Sequence, residues 1–129
     1  MFSIEFLQTG LKTELLGREV KYLHKTSSTN DDAWECFQKQ TPEGTLIIAD
    51  EQNQGRGSRQ SKWSSSHGKS LTFSFFLLPK MAFENLGVLP LLTGVSIVKG
   101  IHSSTNIMSG LKWPNDIMVS QKKMGGILI

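Results

Sequence analysis

The chain has 129 residues, is 38% hydrophobic and 19% charged, and carries a formal net charge of +3. That length and balance suit one folded domain and exclude a disordered tail or a strongly basic nucleic-acid binder. A single cysteine, Cys36, excludes an internal disulfide and points to a reducing, cytoplasmic setting.

The N-terminus, Met1 to Leu7, lacks the basic start and apolar run of a signal peptide, and no stretch reads as the roughly 18 consecutive apolar residues of a membrane span, so no membrane partner is expected. Ile4, Leu7, Leu11, Leu15 and Leu16 recur at helical spacing, predicting a helix over 4–16 with Gly17 as its stop. A short strand follows over 20–25. Thr26 to Asn30 is a polar turn in which Thr29 or Asn30 caps a helix over 31–39, with Asp31 and Asp32 in its favourable first turn. Pro42-Glu43-Gly44 marks a turn before a β-branched strand over 45–49.

The segment 51–68 is long, polar, rich in Gly, Ser and Gln, and nearly free of core formers, which predicts a loop with a function. Alternation over 70–78 predicts a strand ended by Pro79. Apolar residues at 88, 91, 92, 95, 98 and 101 predict a helix over 86–102, with Pro90 in its first turns. Short strands over 110–112 and 117–119 flank the turn Pro114-Asn115-Asp116. After a second turn over 121–123, an apolar strand begins at Met124 and the chain stops inside it. The pattern is α+β, a mixed sheet flanked by helices in one domain over 1–129, and the final strand predicts a fold incomplete at the C-terminus.

Four clusters have chemical potential. Gln52, Gly55, Arg56, Gly57, Arg59, Lys62 and Trp63 share the polar loop, where glycines let backbone approach a ligand and guanidinium forks suit phosphate or carboxylate. A solvated surface loop has the same composition, and the spacing fits neither a Walker loop nor a dinucleotide fingerprint. Lys112-Trp113-Pro114-Asn115-Asp116 reads as a tight turn or a polar edge of a cleft. Lys123-Met124-Gly125-Gly126 reads as a lysine before a bulge, or as a cation beside a close-packed ligand. Ser28-Thr29-Asn30 reads by default as a helix cap. His24, His67 and His102 lack metal-ligand spacing.

In this order, Ser-Thr-Asn, Gln-x-x-Gly-Arg-Gly, a Trp, Leu-Thr-Phe-Ser, Lys-Trp-Pro-Asn-Asp and Lys-x-Gly-Gly-Ile-Leu, the chain resembles the biotin protein ligase family from about Leu16 onward. The resemblance implies a class II aminoacyl-tRNA synthetase and biotin ligase type of fold. It implies adenylation of biotin by ATP, with Mg²⁺, and transfer to a lysine of a biotin carboxyl carrier protein such as acetyl-CoA carboxylase. It leaves room for a homodimer, and it expects neither a DNA-binding domain nor a C-terminal β-barrel domain in this chain. Carried over residue by residue, it places biotin against Ser28, Thr29, Asn30, Gln52, Gly55, Arg56, Trp63, Lys123, Gly126 and Leu128. It places nucleotide and phosphate against Gly57, Arg59, Lys112, Asn115 and Asp116, with Asp116 the one candidate Mg²⁺ contact. Lys123 and Arg56 are the implied catalytic cations, meeting around one cleft. Where relatives carry further arginines after Gly-Arg-Gly, this chain has Ser58-Arg59-Gln60-Ser61-Lys62. The rival readings are a lipoate or octanoate ligase or transferase of the same superfamily, and a noncatalytic binding module.

Overall fold

A computed structural model describes residues 2–129. The chain divides into two compact units, Met1–Arg56 with Ser61–Pro79, and Gly57–Gln60 with Lys80–Ile129.

The first unit is built on a three-stranded sheet in the order β1 (Val20–Thr26), β2 (Leu46–Gln52), β5 (Thr72–Phe75). β1 and β2 run parallel, from Val20 opposite Leu46 to Thr26 opposite Gln52. A parallel pair needs a crossover, and helix α2 (Thr29–Gln38) supplies it. β2 is central and carries Leu-Ile-Ile-Ala, an apolar run buried on both sides. Ile47 is completely buried, packed with Ala33 and Cys36 of α2 and with Leu23 and Phe76. Cys36 is thus a packing residue. On the other face Phe73 and Phe75 stack, Phe2 stacks on Tyr22, and Asp50 accepts a 2.5 Å hydrogen bond from the Tyr22 hydroxyl. The Nδ1 atoms of His24 and His67 lie 3.3 and 3.7 Å from the same carboxylate oxygen.

Several predicted boundaries move. Helix α1 covers Ile4–Gly10 instead of 4–16. The Arg18 guanidinium takes the carbonyls of Leu11 and Thr13, which a continuing helix would offer to residues 15 and 17. Gly17 adopts a left-handed φ of 74° and donates its N–H to the Gly44 carbonyl. Helix α2 begins at Thr29, so Thr29 and Asn30 lie inside it and Ser28 is the cap. β5 is shorter than the alternation suggests, because the chain beyond Phe75 is drawn to the 42–45 turn. There Phe76 accepts from Gly44 N–H, and Leu78 N–H donates to Glu43.

The second unit joins α3 (Leu89–Thr105) to an antiparallel meander of β6 (Gly110–Lys112), β7 (Asp116–Val119) and β8 (Lys122–Gly126). Pro90 sits in the first turn of α3, where its missing N–H costs nothing, and left-handed Asn106 ends the helix. Gly94 is buried where a Cβ would stand 2.7 Å from the Leu111 side chain, so the glycine lets β6 approach α3. The β7–β8 turn falls at Ser120 and Gln121, both left-handed, earlier than expected. β8 therefore starts at Lys122 and ends at Gly126, so it contains only the first part of the strand expected from Met124, and residues 127–129 lie outside it. Against the sequence expectation, the helical segment Phe83–Thr105 is long enough, with mean hydropathy 1.4, to cross a membrane by length and composition. The glycines, serines and threonines inside it interrupt any continuous apolar run without lowering that mean far.

Asp50 is held below the ordinary carboxylate range, chiefly by the Tyr22 hydrogen bond, against the opposing effect of desolvation, with His24 and His67 adding to the lowering. A carboxyl lowered in the fold contributes stability that is complete above its unfolded value, about pH 4, and is lost as pH falls through the folded value. Asp50→Asn should therefore flatten the acid limb of a urea-unfolding series run between about pH 3 and pH 6. An acid limb identical to that of the parent would show that Asp50 carries no such linkage.

Candidate functional site

In the first unit the candidate residues gather where β2 ends and α2 begins. Ser28 is the N-cap of α2, has extended backbone and is almost fully buried, yet its hydroxyl makes no capping hydrogen bond. Capping is what a serine at this position ordinarily does. The orphan N–H of Thr29, the first residue of the helix, is satisfied by Gln52, whose Oε1 accepts it at 3.1 Å. Gln52 reaches that position because β2 runs beyond the predicted strand, to residue 52, in register with Thr26. The Gln52 backbone N–H donates to Ser65 Oγ at 2.7 Å, tying the far stem of the polar loop to the same point. Thr29, Asn30 and Ser74 form a hydroxyl–amide chain, with Thr29 Oγ1 2.8 Å from Ser74 Oγ and Ser74 donating to Asn30 Oδ1.

The Gly-Arg-Gly segment is more ordered than its composition predicts. β3 (Gly55–Arg56) pairs antiparallel with β4 (Lys62–Trp63), Gly55 opposite Trp63 and Arg56 opposite Lys62. A Cβ at residue 55 would stand 2.3 Å from Gln52 Nε2 and 2.5 Å from the Trp63 carbonyl oxygen. Glycine is therefore required here for close approach, not for turning. Arg56 forms an ion pair with Asp31 in the first turn of α2. Gly57 and Arg59 belong to the connection between the paired strands, where Arg59 and Gln60 both have left-handed φ, 54° and 62°.

In the second unit a bulge decides which side the lysine is on. Ile117 faces Gly125, but Met118 faces Lys123, so Met124 is the extra residue. In unbroken register Lys123 would oppose Val119 and share the face of Ile117. The bulge moves it to the face of Asp116 and Met118. There Lys123 Nζ reaches Asp116 Oδ1 at 2.8 Å. Lys112 pairs with Asp116, and Gly126 pairs with Asp116 from the other side, so Lys112, Asp116, Lys123 and Gly126 share one face. Ile117 and Gly125 lie on the opposite face with Leu111, the side met by α3. Asn115 lends its side-chain N–H to the Ile127 carbonyl at 2.9 Å, and its own carbonyl accepts from Ile127 N–H. It secures the chain leading to Leu128. The Trp113–Pro114 peptide is cis.

The structure thus groups the predicted residues into two sets, one per unit. Arg56 and Lys123 belong to different sets, each held by its own carboxylate. Among the described residues no three His, Cys, Asp or Glu side chains form a metal-ligating group, and the Asp116 carboxylate is engaged by Lys123. These residues do not form a protein cage for Mg²⁺, and we derive no step through one. Residues that the sequence reading passed over are Ser74, Ser65 and Asp31 as partners of the site. Ser74 had a signal: it is a small polar residue alternating with phenylalanines in a strand.

A family model described as the biotin/lipoate A/B protein ligase family matches residues 22–129. The bifunctional ligase/repressor BirA of Bacillus spizizenii is 39% identical over 122 residues, covering 95% of this chain and 38% of that protein. Biotin–protein ligase 1, chloroplastic, of Arabidopsis thaliana is 31% identical, over 98% of this chain and 35% of its own length. The solved biotin protein ligase of Aquifex aeolicus, in complex with biotin and ATP, superposes with a TM-score of 0.73 at 38% identity, over 86% of this chain and 46% of that one. The Leishmania major enzyme in complex with biotinyl-5-AMP gives 0.74 at 26% identity, over 86% and 51%. The chain therefore spans about half or less of the length of these proteins.

Two outcomes follow from the local geometry. Gly55→Ala should destabilise the fold by about 1–3 kcal/mol in denaturant unfolding, because one of the two contacts at residue 55 is backbone and must move; an unchanged midpoint would contradict the close approach. Inserting one residue between Ile117 and Met118 should give Met124 a partner, restore an unbroken register and put Lys123 on the face of Ile117, away from Asp116. A Lys123–Asp116 contact that persists in a crystal structure of the insertion variant would refute the bulge as its cause.

Proposed function

Because the chain belongs to the biotin/lipoate A/B protein ligase family, we propose that it serves ATP-dependent adenylation of biotin and transfer of the biotinyl group to a lysine of a biotin carboxyl carrier protein. The observation that carries this reading is the set of buried polar side chains at the α2 N-terminus: Ser28, Thr29 and Gln52, with the Ser28 hydroxyl making no cap. Thr29 and Gln52 already hold one another through the Thr29 N–H, and a ligand that supplies donors and an acceptor of its own can pair with the hydrogen-bonding capacity this buried set has left. A cyclic urea does so. That the relatives named above are biotin ligases, one solved with biotin and ATP, supports the biotin branch over lipoate.

Two half-reactions make up this activity. A biotin carboxylate oxygen attacks the α-phosphorus of ATP and pyrophosphate leaves. The carrier lysine then attacks the acyl carbon of the mixed anhydride, and AMP leaves as the amide forms. Neither step needs a covalent bond to the enzyme, so positioning and charge stabilisation do the work. Lys123 is assigned to the anion that develops at the carboxylate and α-phosphate. Asp116 fixes its ammonium in place before the substrates arrive. Arg56 is oriented by Asp31 for the same kind of role, and Arg59, Lys112 and Asn115 are assigned to the nucleotide side. Any Mg²⁺ would come with the nucleotide phosphates, whose charge it would neutralise, and no residue of this chain is assigned to hold it.

The test is biotin-dependent ATP–pyrophosphate exchange. Lys123→Ala should lower it by about 100-fold or more, and Ser28→Ala should mainly raise the biotin KM by about 10-fold. Full exchange in the lysine variant would remove Lys123 from the chemistry. Lipoate competing better than biotin in the same assay would move the protein to the other branch of the family.

A further inference from the structure

We propose that Ser74 is a positioning residue that sets the direction of the Thr29 hydroxyl, so that Thr29 meets its ligand only as a hydrogen-bond acceptor. The inference rests on the biotin-binding reading above and deepens it.

The argument is a count of protons. A hydroxyl has one hydrogen to donate. The Ser74 hydrogen goes to Asn30 Oδ1, an amide oxygen that can only accept. Ser74 Oγ and Thr29 Oγ1 are 2.8 Å apart, and one of them must donate to the other. With the Ser74 proton committed, Thr29 is the donor. Its single proton then points at Ser74, and only its lone pairs remain for anything else. Gln52 Oε1 is the competing acceptor for that proton, but it lies 3.5 Å from Thr29 Oγ1 against 2.8 Å for Ser74 Oγ, so the shorter contact takes it. Gln52 Oε1 is already turned to the Thr29 N–H, at 3.1 Å, which leaves the Nε2 end of Gln52 as its donor. Thr29 and Ser74 are presented from different elements, α2 and β5.

The consequence is a fixed donor and acceptor pattern. Thr29 accepts and Gln52 Nε2 donates. A ring N–H fits at Thr29, whereas a ring oxygen there would face a lone pair with no proton between. Ser74 thereby selects a cyclic urea over a cyclic carbamate of the same shape without touching it.

The experiment measures the affinity of the protein for biotin and for the two analogues in which one or the other ring N–H is replaced by oxygen. Wild type should prefer biotin by about 100-fold or more over at least one of them. In Ser74→Ala the Thr29 hydroxyl is free to rotate and donate, so that preference should shrink at least about 10-fold, whatever happens to absolute affinity. Asn30→Ala, which removes the terminal acceptor, should narrow it likewise, and Ser74→Thr, which keeps the hydroxyl, should preserve it. Weaker binding of all three ligands with an unchanged ratio in both alanine variants would overturn the proposal and leave Ser74 a packing role. Absence of biotin binding in wild type would instead overturn the underlying reading.

Discussion

The interaction on which the site in the first unit depends is the hydrogen bond from Thr29 N–H to Gln52 Oε1. It joins the first residue of a helix to the last residue of a strand, and it exists only because β1 and β2 are parallel and in register as far as Thr26 and Gln52. A helix N-terminus has N–H groups that something must satisfy. Here a side chain from the sheet satisfies the first of them, while the Ser28 hydroxyl makes no capping bond to the next ones.

The same point gathers the neighbouring elements. The Gln52 side chain occupies the space that any Cβ at residue 55 would need, and its backbone N–H engages Ser65, so both stems of the Gly-Arg-Gly segment are referred to one residue. Hence a segment almost without core residues is still held in place. Its order comes from hydrogen bonds and close backbone approach rather than apolar burial.

The second unit solves a different problem with a different device. A lysine in a β-strand points to one face or the other, and a shift of one residue reverses it. The extra residue at Met124 spends that shift to bring Lys123 beside Asp116, while Ile117 stays buried on the other face. A cation is thereby fixed by a carboxylate on a sheet face whose reverse side serves packing.

Much of this was legible without coordinates. Alternation and helical spacing located the longer elements, though not the short paired strands β3 and β4 inside the polar loop, because local periodicity and turn chemistry are properties of neighbouring residues. Boundaries were legible only where local preference went unopposed: helix α1 ends early since Arg18 claims its carbonyls, and β5 ends early since the 42–45 turn claims its last residues. What tertiary structure alone decided is orientation. That Ser28 is uncapped, that Gln52 turns its oxygen to the helix, that Ser74 reaches Thr29 across 45 positions of chain, and that Lys123 lies on the face of Asp116 all depend on pairing registers between distant segments. No local pattern encodes a register, because it is set by which residues of two separate strands come to lie opposite one another.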